Sequence, residues 1–130
     1  MSLDIRLSTS RAAALSFEDD GYYWFMYPLI EDLRIKTGQY IDLYGGAAFA
    51  GKSLESLRET LIGAAQMVEG MPDRWEVQTG SSIGSYLKPT PPTPIYGTVH
   101  KSDFVLLLRA FLELVDTAIA RKATVVCAGD

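Results

Sequence analysis

Apolar and polar residues follow two periods along this chain, and the switches between them mark out the elements. Leu3-Asp4-Ile5-Arg6-Leu7 alternates as a strand with one buried face does. Asp19-Asp20-Gly21 is a turn or helix-start signal. From Tyr22 to Lys36 the apolar positions Phe25, Leu29 and Leu33 fall at helical spacing. Pro28 either kinks this helix or marks its first turn. Thr37-Gly38 stops it, because Gly accepts the left-handed conformation at a helix end. Tyr40 to Tyr44 alternates again, with Ile41 and Leu43 facing one way, and predicts a second strand. Gly45 to Lys52 reads as a small-residue loop. Ser53 is placed to cap a helix over 54–69, whose apolar stripe is Leu54, Leu57, Leu61, Ala65 and Val68. Gly70 and Pro72 end it.

The second half repeats the grammar. Trp75 to Thr79 alternates as a short strand, and Ile95 to His100 is another. Between them Gly80 to Pro94 is rich in Gly, Ser and Pro and reads as a long loop. Within it Pro89 to Pro94 favours polyproline II, as a stiff spacer. Ser102 is placed to cap a helix over 103–122. That helix is apolar around most of its circumference, with Arg109, Glu113 and Asp116 as its polar stripe, and is expected to be the central buried one. Thr124 to Ala128 closes the chain as a strand. The pattern predicts an α+β fold with a single domain over residues 1–130. A four- or five-stranded sheet packs with about three helices.

Composition narrows the function classes. A chain of 130 residues suits one domain with one core. Its net charge of -4 argues against nucleic acid and anionic membranes as partners, and is compatible with a basic protein. The apolar segment from Phe104 to Ile119 is interrupted by Arg109, Glu113 and Asp116, unlike an ordinary membrane span. The N-terminus lacks the charged and apolar regions of a secretion signal, so a cytoplasmic location is expected. Cys127 is the only cysteine, which rules out an intrachain disulfide and reads as a small buried hydrophobe. His100 is the only histidine. With one imidazole and one thiol, no metal site is expected, and no cofactor. No G-x-S-x-G elbow is present, and nothing sets two acids across a cleft. No catalytic residue emerges, so a non-catalytic role is favoured over an enzyme.

One stretch spells a known chemistry. Residues 46–53, Gly-Ala-Ala-Phe-Ala-Gly-Lys-Ser, match the phosphate-binding pattern G-x-x-x-x-G-K-[ST]. In such a loop backbone N–H groups cradle phosphates, the lysine reaches the outer ones and the hydroxyl holds Mg²⁺. Gly46, Gly51, Lys52 and Ser53 would be the binding residues. Three features weigh against it. The strand expected before it alternates, where a P-loop strand is apolar on both faces. Too few elements follow for a doubly wound sheet. The acid that would help hold Mg²⁺ is missing from an apolar strand, Asp130 being terminal. Nucleotide or phosphate binding there is the alternative reading.

The densest aromatic run is Tyr22-Tyr23-Trp24-Phe25-Met26-Tyr27. On a helix these rings cannot all face inward. Tyr22, Tyr23, Trp24 and Tyr27 are therefore the candidate interaction residues, Tyr and Trp being favoured at protein contacts. An edge strand in so small a sheet also invites self-association.

Thr37-Gly38, Ile41-Asp42-Leu43-Tyr44-Gly45, Trp75-Glu76-Val77, Lys101 before a long apolar helix and the ending Gly129-Asp130 together give a resemblance. In that order they resemble a group of small uncharacterised bacterial proteins, some associated with toxin–immunity systems. The resemblance covers the chain from about Tyr22 onward. It implies a compact α+β domain with no catalytic residues to carry over, and a protein-interaction module, in some cases an immunity protein, as its function.

Overall fold

The computed structural model describes residues 2–82 and 91–129. Its elements are β1 (Leu3–Leu7), β2 (Leu15–Phe17), α1 (Asp20–Thr37), β3 (Gly46–Phe49), α2 (Lys52–Glu69), β4 (Arg74–Ser82), β5 (Thr93–His100), α3 (Lys101–Arg121) and β6 (Val125–Gly129). The fold is α+β. A four-stranded antiparallel sheet runs in the order β2-β1-β6-β3, and β4 pairs with β5 in a separate two-stranded sheet.

The strand period decides which face of the main sheet is covered. Leu3 and Ile5 of β1, Phe17 of β2, Ala47 and Phe49 of β3, and Val125 and Cys127 of β6 are buried on one side. Between them Asp4, Gly46, Ala48 and Ala128 face solvent. The helices cover the buried face with stripes at helical spacing: Tyr23, Met26, Ile30 and Leu33 from α1, Leu54, Leu57, Leu61, Ala64 and Val68 from α2, and Phe104, Leu108, Phe111, Val115 and Ala118 from α3. No charged side chain is buried among the described residues, and the Tyr23 hydroxyl is a polar group inside the core. The core is therefore held by apolar burial rather than by an interior polar network.

Several sequence expectations are corrected. Tyr40 to Tyr44 is not a strand; the hydrogen-bonded strand is Gly46–Phe49, inside the expected loop. The Ile41 and Leu43 alternation is real burial, since both are nearly inaccessible. They dock on the core from a connection that pairs with no strand and turns at 43–44. Leu15–Phe17 is an additional strand. Gly80 to Ser82 and Thr93–Pro94 belong to β4 and β5 rather than to a loop, and the middle of that loop, including Pro89 and Thr90, lies outside the described residues. α3 is amphipathic, not centrally buried: Leu106 is 60% exposed. Pro28 sits exposed in the interior of α1. Ser53 and Ser102 are not caps, because α2 and α3 begin two residues earlier than expected and have Gly51 and His100 at their N-cap positions. Asp19 does cap α1, its Oδ1 accepting from the Gly21 N–H at 2.8 Å.

Candidate functional site

The phosphate-loop match occupies the wrong kind of backbone. Gly46 to Phe49 pair with Ala128 to Val125 in the sheet, so the first half of the motif is extended strand. Only Ala50 and Gly51 then separate β3 from α2. Gly51 takes φ 55° and ψ −125° to make this sharp entry, a conformation that favours glycine. The Ser53 hydroxyl is already committed. It accepts from the Ala50 N–H and donates to the Ala50 carbonyl, each at 2.8 Å. Lys52 is exposed. Gly46, Gly51, Lys52 and Ser53 thus follow one another along a strand–helix junction without forming a cradle of convergent N–H groups. Asp116 is not a metal acid either; it pairs with Arg58 at 2.8 Å. Asp130 lies outside the described residues.

The aromatic segment is mostly an inward clamp. Tyr23 is buried, and its hydroxyl donates to the Ile41 carbonyl at 2.8 Å and lies 3.3 Å from the Tyr40 hydroxyl. Burial, followed by the hydrogen bond with Tyr40, pushes its ionisation well above the ordinary tyrosine range. Tyr22 lies over Phe104, with ring centroids 4.8 Å apart. Trp24 and Tyr27 are half-buried and face each other at 5.1 Å. Hydrogen bonding to Tyr40 and Glu31 raises the Tyr27 phenol, and the same Tyr27 contact, with Arg34, lowers Glu31. Arg34 completes the group over the Tyr40 ring at 5.5 Å. Of the expected interaction residues, Tyr23 is therefore structural, and Tyr22, Trp24 and Tyr27 are only partly accessible. The reason is geometric. α1 is sandwiched between α2, the β4–β5 sheet and the 39–45 connection, so three sides of the helix meet protein.

His100 lies on an open groove of about 730 Å³ with Asp73, Lys101, Ser102, Val105, Leu106 and Arg109. The Lys101 ammonium is used structurally: it donates to the carbonyls of Glu69 and Met71, both at 3.0 Å, and so closes the end of α2. Among the described residues no hydrogen bond joins the His100, Ser102 and Asp73 side chains that line it. Among the described residues no cluster of three His, Cys, Asp or Glu could hold a metal ion.

The feature that stands out is the β4–β5 sheet. Its inner half is anchored: Trp75 lies on Phe25 at 5.1 Å and stacks near Phe104 at 6.3 Å, and Val99 is fully buried. Its outer half is a more exposed arm. Gly80, Ser81 and Ser82 are exposed, as are Thr93 and Pro94. Ile95 is 48% exposed and Tyr96 56%. Neighbouring strand residues point to opposite faces, so the arm offers apolar surface on both sides. Beside it Trp24 lines a smaller cavity of about 250 Å³ with Gln78, Thr79, Gly80 and Ser81. Sequence reasoning located Ile95 to His100 as a strand but missed this surface. A period-2 pattern reports alternation, and it says nothing about where the supporting helix stops.

Comparison with family models, curated proteins and solved structures finds no match to this chain.

Proposed function

We propose that this chain is a non-catalytic protein-interaction module whose contact element is the β4–β5 arm. The observation that carries the reading is the paired exposure of Ile95 and Tyr96 on the outer half of the β4–β5 ribbon. A two-stranded ribbon is marginal by itself in water, and exposed apolar side chains on both its faces gain by being covered. Tyrosine is also among the residues that carry binding energy at interfaces.

The partner's chemistry follows from charge. Sixteen acids stand against twelve Lys and Arg residues. At the base of the arm Asp19 lies against Gly97, between Glu18 and Asp20 in the chain. A basic protein suits this surface, and electrostatic attraction would speed its capture. Neutralising a basic toxin, as an immunity protein does, is the specific role we favour.

The test is retention of one defined protein from host lysate on the immobilised chain. Replacing Ile95→Ser and Tyr96→Ser together should abolish retention without unfolding the protein, because both side chains are exposed. Raising salt from 0.05 to about 0.5 M should weaken it, since screening shortens the reach of surface charges. A partner held equally by the double variant would contradict the reading.

A further inference from the structure

The strand edges of this molecule are guarded unequally. β2 is only three residues long. The outer edge of β3 is latched, its Ala48 N–H donating to Gln39 Oε1 at 3.0 Å. β5 contains Pro94, whereas β4 from Arg74 to Ser82 contains no proline. Short strands, covering side chains, bulges and prolines are the usual means of keeping edges from pairing; in β4 the register shift and the Gln78 side-chain bond lie at its far end, between Gln78 and Gly80, and the stretch from Arg74 to Val77 has none of them.

One bond fixes which groups β4 presents. The Lys101 N–H donates to the Asp73 carbonyl at 2.8 Å, just outside the Arg74↔His100 pair. That makes Arg74↔His100 a non-hydrogen-bonded pair, and the pairs alternate from there. Trp75 and Val77 therefore bond to β5. The backbone N–H and C=O groups of Arg74, Glu76 and Gln78 point away from it. None of them has a hydrogen-bond partner among the described residues. On the same phase Pro94 falls in the outward row of β5, where its missing N–H costs the ladder nothing and blocks that edge.

We propose that a second copy of this chain adds to the β4 edge, β4 against β4, antiparallel about a two-fold axis through Trp75. The charges choose this occupant and this register. Arg74-Trp75-Glu76 is its own antiparallel complement. Arg74 stands opposite the partner's Glu76, and the two-fold repeats the pair. Each such pair exchanges both backbone N–H···O bonds, because Arg74 and Glu76 are outward residues. Neither side chain makes an ion pair within its own chain among the described residues. Moving the axis to Glu76 would set Glu76 against itself, which like charges disfavour. The result is a four-stranded sheet, β5-β4-β4-β5, with an isologous interface. It leaves the far end of each arm, with Ile95 and Tyr96, on the outside, so the two contacts do not compete.

Sedimentation equilibrium across a wide concentration range tests it, with circular dichroism to verify folding. Wild type should reach a dimer. Arg74→Glu alone, or Glu76→Arg alone, turns both attractive pairs repulsive and should weaken dimerisation about tenfold or more. The double variant restores complementarity and should return to within about threefold of wild type. Hydrogen exchange of the wild-type chain gives a readout without substitution: the Arg74 and Glu76 amides should slow as concentration rises. A monomer at all concentrations would overturn the proposal. So would a dimer indifferent to the reversals, or one whose Arg74 and Glu76 amides still exchange freely.

Discussion

Removing one oxygen atom from Tyr23 should cost this protein a sizeable part of its stability. The Tyr23 hydroxyl donates to the Ile41 carbonyl at 2.8 Å, and both residues are almost inaccessible to water. Tyr23→Phe keeps the ring and its packing but leaves that carbonyl without its donor. A buried acceptor stranded in this way costs about 1–3 kcal/mol. A chain of this length has an unfolding entropy near 0.27 kcal/mol/K, from about 2.1 cal/mol/K per residue, so the midpoint should fall by roughly 4–11 °C. Tyr40→Phe is the comparison. Its hydroxyl lies 3.3 Å from that of Tyr23 and is half-buried, so its loss should cost under about 1 kcal/mol. Urea unfolding of the three proteins measures the difference at constant slope. If Tyr23→Phe lies within about 0.5 kcal/mol of wild type, the hydroxyl does not bolt the 39–45 connection to α1, and the reading of Tyr23 as structural is wrong.

Two further outcomes test the interior. Burial pushes the Cys127 thiol from 9.0 up to about 12, so the folded chain keeps a proton that the unfolded chain gives up. Stability from this group is complete below pH 9 and falls as pH rises from 9 toward 12, by about 1.4 kcal/mol per unit. Urea midpoints of wild type and Cys127→Ala over that range should converge as pH rises, and parallel curves would refute it. Gly129 is squeezed against the 42–45 turn: its N–H donates to the Gly45 carbonyl at 2.7 Å, and an added Cβ would overlap the Leu43 carbonyl. Gly129→Ala should cost about 1–3 kcal/mol by overpacking against backbone. Gly80→Ala, which meets nothing within 4 Å, should stay within about 0.5 kcal/mol in the same melts.

The helices were legible because burial imposes their period. The α2 stripe reads correctly except that Ala64 rather than Ala65 is buried, α1 buries Tyr23, Met26 and Ile30 rather than Phe25 and Leu29 beside Leu33, and α3 buries one face where its composition suggests burial all round. Hydroxyl side chains at 53 and 102 suggested caps where the chain uses Gly51 and His100 instead. The strands were legible only where alternation and pairing coincide. Tyr40 to Tyr44 alternates because Ile41 and Leu43 plug the core, yet the pairing with β6 falls on Gly46-Ala47-Ala48-Phe49. Glycine and alanine carry little strand signal. The same small residues complete the phosphate-loop pattern, although the backbone there is half strand. At the candidate site the aromatic run drew attention to α1, whose rings turn largely inward. The exposed pair Ile95 and Tyr96 lies in a strand with no unusual pattern, because exposure is a property of the assembled fold.

The claim that the β4–β5 arm is the contact element is tested most directly by site-specific photo-crosslinking in the host. A photoreactive residue at Tyr96 should give one discrete adduct, competed by excess unlabelled chain. The same residue at Ile35, the most exposed large apolar side chain on α1 at 77%, should give none. Adducts from Ile35 with none from Tyr96 would move the contact to α1 and contradict the account.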